Sequence, residues 1–354
     1  MRIETVDKNF AVARKIHGNI KYYDIPHPNF DLYGVQYDEK QGFFRMPIDV
    51  AKTVSEGVSL LATNTSGGRI RFSTDSNLLE LKVRYNGLWP MSHMTLVGQS
   101  GFILLEETEK GRRLVKILPP NFTDEKGYTA VAELKGGVVR NYILYFPLYK
   151  SIKGVSIGLQ QDAKVENGKK YREIKPILYY GSSITQGGCA SRPDNCYQAL
   201  IEKWNNIDFI NLGFSGNGKA EDNMVDYLST IDCSLFVCDY DYNAQNAEYL
   251  EKTHYRLYER YRKVKPNAPI LFLSKPDIGN GDDSIAREKI IRRTYKKARG
   301  LGDNNVYFVA GRTLYDNRMR DNCSVDGCHP NDLGFFKIAD KIYRKIVSIN
   351  KKFK

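Results

Sequence analysis

Two stretches far apart in the chain carry the residue types of acyl chemistry: Ile177-Leu-Tyr-Tyr-Gly-Ser-Ser-Ile-Thr-Gln-Gly187 and Asp326-Gly-Cys-His329-Pro330. A serine hydroxyl is a weak nucleophile and attacks a carbonyl only when a neighbouring base takes its proton. Ser183 follows an apolar run, which would place it just past the end of a buried strand, exposed on a turn into a helix. An ordinary loop also carries Gly-Ser-Ser, so the reading rests on finding a base. The histidines are His17, His27, His93, His254 and His329, and His329 has an aspartate three residues earlier and a proline directly after. Asp326 could accept from the imidazole Nδ1–H and leave Nε2 free for the Ser183 proton, a triad in chain order Ser, Asp, His. The competing reading is a surface turn ahead of a helix with Asp332 as N-cap. It accounts for the proline and asparagine but not for the Asp-x-x-His pair.

Ester attack also needs donors for the developing oxyanion, each worth roughly 10²–10³ in rate when preorganised. The Ser183 N–H is one candidate. In Asn211-Leu-Gly-Phe-Ser-Gly-Asn-Gly218 the glycines permit close approach of a backbone N–H to a ligand. Asp239-Tyr-Asp-Tyr-Asn243 offers a side-chain N–H at Asn243. Arg192, just after the nucleophile loop, could bind an anionic part of a substrate or be a plain surface arginine. Trp89 and His93, in Trp-Pro-Met-Ser-His-Met, could overhang the site, Trp89 as an aromatic face for a sugar, or serve ordinary packing.

The elements that must position these residues fall into two halves. Between about residues 30 and 160 short apolar runs alternate with turn residues, at 69–73, 78–84, 102–106, 128–134 and 139–145. This predicts an all-β sandwich, jelly-roll-like. From about Pro176 strands alternate with helices. Strands are expected at 177–180, 209–212, 235–238, 270–273 and 306–309, and helices at 196–204, 221–228, 247–264, 285–298 and 333–349. The alternation predicts a five-stranded parallel sheet with helices on both faces, an α/β domain. The polar stretch 160–171 reads as the linker, dividing the chain into 1–170 and 171–354. The four chemical elements then follow strands one, two, three and five.

At this point the chain resembles the SGNH/GDSL hydrolases. Gly181-Ser-Ser-Ile-Thr-Gln-Gly187 is similar to the first family block and implies Ser183 as nucleophile. The segment 211–218 is similar to the second and implies Gly216 as a backbone oxyanion donor. Asp239–Asn243 is similar to the third and implies Asn243 as side-chain donor. The last, 326–330, implies Asp326 and His329. The whole chain resembles a two-domain branch with an N-terminal β-sandwich, whose members include carbohydrate-esterase-like proteins and an acyltransferase. Ser182 stands where the family usually has Asp, and Asp-Tyr-Asn-Ala replaces the usual Gly-x-Asn-Asp. The resemblance implies a serine esterase acting on short, acetyl-like acyl groups, with an acylated carbohydrate as substrate and no cofactor or metal. Acyl transfer, thioester cleavage and an inactive carbohydrate-binding protein are the alternatives.

Composition narrows the partners. The chain has 354 residues, 42% of them hydrophobic, enough for real cores. The net charge of +12 is concentrated. Residues 251–300 hold 14 Lys+Arg against 6 Asp+Glu, and the tail from Lys341 adds six basic residues and no acids. These charges lie on segments with helical apolar spacing, which reads as solvated outer faces, and no zinc-finger or RNP-like motif points to nucleic acid. The start, Met1-Arg-Ile-Glu-Thr-Val-Asp, has no apolar h-region, and no run of about 18 apolar residues occurs. A cytoplasmic protein without membrane contact is therefore expected, or an extracellular one if a leader was removed. The six cysteines lack a C-x-x-C spacing and are expected as buried thiols. Cys189 and Cys328 flank the two ends of the proposed site and could pair if it assembles.

Overall fold

The computed structural model describes residues 5–7, 11, 18–276, 282–316 and 318–354; His17 and most of the first seven residues lie outside them. The C-terminal half is built on strands Ile177–Gly181, Phe209–Gly213, Leu235–Asp239, Ile270–Leu273 and Val306–Val309, all parallel. Their spatial order places the second at one edge, then the first, third, fourth and fifth. Every residue of the first and third strands is buried, as expected of strands covered on both faces. Helices Tyr197–Asn205 and Asp332–Ile349 pack on one face, and Asp222–Thr230, Ala247–Val264 and Asp282–Gly300 on the other. The expected helices lie within a few residues of these bounds.

The N-terminal half holds two antiparallel sheets around a core that includes Ile70, Leu81, Leu104 and Leu144. One sheet orders Ile20–Ile25, Gly154–Gln160, Leu78–Arg84 and Gly127–Glu133. The other orders Val165–Asn167, Arg69–Thr74, Arg140–Tyr145, Phe102–Thr108 and Gly111–Leu118, with Asp31–Tyr33 also on Arg69–Thr74. The five expected strands are present. Gly111–Leu118 is not one of the expected five because it is a basic edge strand, Gly-Arg-Arg-Leu-Val-Lys-Ile-Leu, exposed or half-buried up to its last residue. The stretch read as linker contributes Val165–Asn167, which pairs with Phe72–Thr74.

Two short helices, Ile48–Val54 and Glu56–Ala62, interrupt the β pattern. Ser55 separates them in an extended conformation, and its side chain accepts from the Val58 N–H at 3.1 Å. Ala51, Val58 and Ala62 bury not in the sandwich but in the core beside the parallel sheet, with Leu178 and Phe214. On the other face Ile103, Leu105, Ile143 and Leu148 of the sandwich join Ile177, Tyr179 and Phe209. The two halves therefore share both cores that flank the parallel sheet. Among the described residues, no helix is long and apolar enough to cross a membrane.

Candidate active site

Ser183 opens a four-residue helix, Ser183–Gln186, that begins where strand Ile177–Gly181 stops. Ser182 caps it: its backbone is extended and its hydroxyl accepts from the Ile184 N–H at 3.2 Å. Gly187, left-handed at φ +99°, ends it. The flanking strands are the second on one side and the third on the other, so Ser183 stands at the topological switch point, where open parallel sheets form their crevice. The tight approach depends on glycine. A Cβ at Gly213 would lie 2.2 Å from the Gln186 nitrogen, and one at Gly181 would lie 2.1 Å from Thr185 Oγ1.

His329 reaches Ser183 from 146 residues downstream. His329 Nε2 lies 2.9 Å from Ser183 Oγ, and His329 Nδ1 lies 2.7 Å from Asp326 Oδ2. The other Asp326 oxygen accepts from the backbone N–H groups of Cys328 at 2.9 Å and His329 at 2.7 Å. Partial burial opposes charge on Asp326, but the His329 N–H, the imidazole and the Cys328 N–H outweigh it and hold the carboxyl down to about 2. An ionised Asp326 on Nδ1 fixes the proton there and leaves Nε2 as the acceptor for the serine hydroxyl.

Three possible oxyanion donors lie at the ends of the first three strands. Among the described residues, neither the Ser183 nor the Gly216 N–H donates to an acceptor. Gly216 adopts φ +69°, a conformation that favours glycine. Asn243 accepts from the Gly218 N–H through Oδ1 at 3.1 Å, which turns its Nδ2 donor the other way. Gly218 packs so close to Gly181 that a Cβ there would lie 2.2 Å from the Gly181 oxygen, so the Asn243 amide sits beside the nucleophile strand.

Other residues singled out in the sequence stand as follows. Arg192 Nη2 donates to Asp194 at 3.0 Å and Asn195 at 3.2 Å. Trp89 is 75% exposed; its carbonyl accepts from Gln99 Nε2 at 2.8 Å, and the Gln99 carbonyl accepts from the Tyr149 N–H. His93 is exposed, with Nδ1 2.8 Å from Ser92 Oγ. Asp332 is not the helix cap; Asn331 is, accepting from the Gly334 N–H at 3.0 Å. The Asp332 carboxylate instead takes the Ser191 N–H, the Ser191 hydroxyl and Asn195 Nδ2, tying the loop after the nucleophile to the helix after the base. Cys189 and Cys328 are free, half-buried thiols, not a disulfide. Burial, then the charges of Asp326 and Cys328, push the Cys189 thiol up to about 11.

Two contacts escaped the sequence reading. Tyr149 donates its hydroxyl to the Ser183 carbonyl at 3.2 Å, and Gln186 Oε1 accepts from the Ser215 N–H at 3.0 Å. Gln186 lies inside a stretch already singled out, but no local signal marks Tyr149, which comes from the other half of the chain.

Comparisons with known proteins agree with this fold. Residues 174–347 match the model of the GDSL-like lipase/acylhydrolase family, and residues 20–165 match the model for the N-terminus of SGNH-hydrolase-type esterases. No curated protein matches the chain. A Bacteroides ovatus structure described as a GDSL-like lipase is 27% identical, with TM-score 0.84, over 94% of this chain and 98% of that one. A salicylyl-acyltransferase from a tetracycline biosynthetic pathway is 17% identical, with TM-score 0.77, over 93% and 97%. A family two carbohydrate esterase from Clostridium thermocellum, in complex with cellohexaose, is 14% identical, with TM-score 0.59, over 81% and 94%. The family models account for both halves of the chain, which belongs to the GDSL-like lipase/acylhydrolase family in its two-domain SGNH form and is an ester hydrolase.

Proposed function

We propose that this chain is a serine esterase that removes short, acetyl-like acyl groups from a carbohydrate. The observation that carries the proposal is the unbroken line from Ser183 Oγ through the imidazole of His329 to Asp326, at 2.9 and 2.7 Å. Ser183 Oγ attacks the ester carbonyl carbon as His329 Nε2 takes its proton. The carbonyl oxygen, now negative, is held by the N–H groups of Ser183 and Gly216 and by Asn243 Nδ2. The imidazolium, stabilised by ionised Asp326, returns the proton to the leaving alkoxide, which departs as the alcohol and leaves an acyl-serine. Water attacks the acyl carbon, its proton goes to His329, and collapse releases the acid and restores the Ser183 hydroxyl.

The sugar and the short acyl group rest on the resemblance to carbohydrate esterases, one of which was solved in complex with cellohexaose. Acyl transfer to an alcohol other than water is the second reading. It is favoured by the salicylyl-acyltransferase, whose fold likeness, TM-score 0.77, exceeds that of the carbohydrate esterase.

The test is turnover of p-nitrophenyl acetate and butyrate by the wild type and Ser183→Ala, beside acetate release from acetylated oligosaccharides. Wild-type turnover that falls to background in S183A is expected. Equal turnover in the two proteins sinks the mechanism. Ester product that appears only when an alcohol acceptor is added selects transfer over hydrolysis.

A further inference from the structure

Several segments of the sandwich half reach the end of the catalytic sheet that carries Ser183. Arg45, 3% exposed, donates through Nη1 to the carbonyls of Asn211 at 2.9 Å and Gly213 at 2.8 Å, the end of the second strand. Its remaining donors are spent on Asn64 and Leu61 of its own half. Ser66 Oγ donates to the Gln186 carbonyl at 2.6 Å and accepts from Asn211 Nδ2 at 3.1 Å. The Leu148 carbonyl accepts from Gln186 Nε2 at 3.3 Å, and the next residue, Tyr149, holds the Ser183 carbonyl. Gly57, on helix Glu56–Ala62, lies so close to Asn217 that a Cβ there would sit 2.1 Å from Asn217 Oδ1.

These contacts converge on one peptide group. The Ser215–Gly216 peptide carries the Gly216 N–H, and Ser215 is held at both its N–H and its carbonyl. The Ser215 N–H donates to Gln186 Oε1, and the Ser215 carbonyl accepts from Asn217 Nδ2 at 2.8 Å. Because the C=O and N–H of a trans peptide point in opposite directions, fixing the Ser215 carbonyl fixes the Gly216 N–H. Gln186 is fully buried, and both ends of its amide are used, one on the Gly216 loop and one on the sandwich.

We propose that Gln186 is a positioning residue through which the β-sandwich sets the orientation of the Gly216 oxyanion donor, so that the sandwich is part of the catalytic device. The proposal rests on the serine-esterase reading for its consequence in rate, though not for the linkage itself. A donor held in place stabilises charge in the transition state without binding the ground state more tightly. Loss of the clamp therefore lowers kcat and leaves KM nearly untouched.

Gln186→Met keeps the length and packing of the side chain and removes both bonds. Two measurements are made on the full chain: kcat and KM for p-nitrophenyl acetate, expressed per site titrated with an organophosphate, and amide hydrogen exchange of segment 211–218. Removing one oxyanion donor costs about 10²–10³ in kcat, and misplacing it is expected to cost about 10- to 100-fold. KM should stay within about threefold, and exchange across 211–218 should accelerate. Titration separates this outcome from a smaller folded fraction, which would lower the titre instead. If Q186M does not fold, Ser66→Ala tests the sandwich's hold on the same residue through the Gln186 backbone carbonyl, with about a three- to tenfold loss in kcat expected. Unchanged kcat per titrated site overturns the catalytic role, and unchanged exchange overturns the linkage. Wild-type protein that turns over no ester would sink the esterase reading, while the exchange comparison would still decide whether Gln186 orders the loop.

Discussion

In the proposed mechanism Asp326 acts without touching substrate. Its carboxylate holds the imidazole by Nδ1 and is itself held by two backbone N–H groups. Asp326→Asn keeps the shape but presents an N–H or a weaker acceptor to Nδ1. Where the amide N–H faces Nδ1, the proton is forced onto Nε2, which then cannot accept from Ser183. A fall in kcat of about 10³- to 10⁴-fold is expected for p-nitrophenyl acetate, with an unchanged circular dichroism spectrum. A loss smaller than about tenfold would show that Asp326 does not set the tautomer. This part of the site could be read from the sequence because its geometry is local: Asp326 and His329 share one turn, and Ser183 ends one apolar run. Tyr149 and Ser66 could not. They approach the nucleophile helix across 34 and 120 residues of sequence, and a tyrosine in Pro-Leu-Tyr-Lys or a serine ahead of Gly-Gly reads as core or turn.

The third strand of the catalytic sheet ends in a buried acid whose cost can be measured. Asp239 is 4% exposed; Thr185 Oγ1 donates to its Oδ2 at 3.3 Å, and Oδ1 has no hydrogen-bond partner among the described residues. Burial first, then the charge of Asp241, push the Asp239 carboxyl well above its ordinary 3.8, against the Thr185 hydroxyl. Burial likewise pushes Asp241 up to about 6. A raised carboxyl keeps its proton in the folded state after the unfolded chain has lost it, so stability declines as pH climbs above 3.8. Asp239→Asn has no proton to lose and keeps an acceptor for Thr185. Its melting temperature should match the wild type near pH 4 and exceed it by several degrees at pH 8, a gap that widens with pH in thermal melts. A constant gap, or a less stable variant at pH 8, would refute the account. Strands such as this one were legible because five consecutive buried residues leave a continuous apolar run. The helix Ser183–Gln186 was not, because four residues held by a capping serine and a left-handed glycine show no periodicity.

At the scale of the whole molecule, two arginines of the sandwich face the C-terminal half. Arg69-Ile-Arg-Phe-Ser has the alternation of a strand with one wet side, yet Arg69 and Arg71 are fully buried, turned to the catalytic half. Arg69 Nη2 donates to Asp208 at 2.5 Å and to the Phe209 carbonyl at 3.0 Å, and Arg71 Nη1 donates to Asn206 at 3.0 Å. Alternation shows that two faces differ, not that either faces water. The centre of this seam is Glu202, 1% exposed on helix Tyr197–Asn205, which accepts from both Nη groups of Arg112 and from the Tyr145 hydroxyl. Burial alone would raise its carboxyl; the charge and hydrogen bonds of Arg112 reverse that and hold it down to about 2. Stability from Glu202 is therefore fully present above about 4.5 and is lost as pH falls through about 2. Arg112→Met leaves the carboxylate buried with only the Tyr145 hydrogen bond and the more distant charge of Arg69, a loss of about 3–5 kcal/mol at neutral pH. It also inverts the sign of the pH dependence. With the arginine gone, burial favours the protonated acid, so acidification from pH 7 toward 4.5 should restore stability to R112M while the wild type gains none from this group. Urea unfolding at pH 7, 6 and 5 reads both curves. A gap between the two proteins that narrows as the pH falls is the expected result. A gap that stays constant would mean that Glu202 finds another partner and that the seam does not depend on this pair.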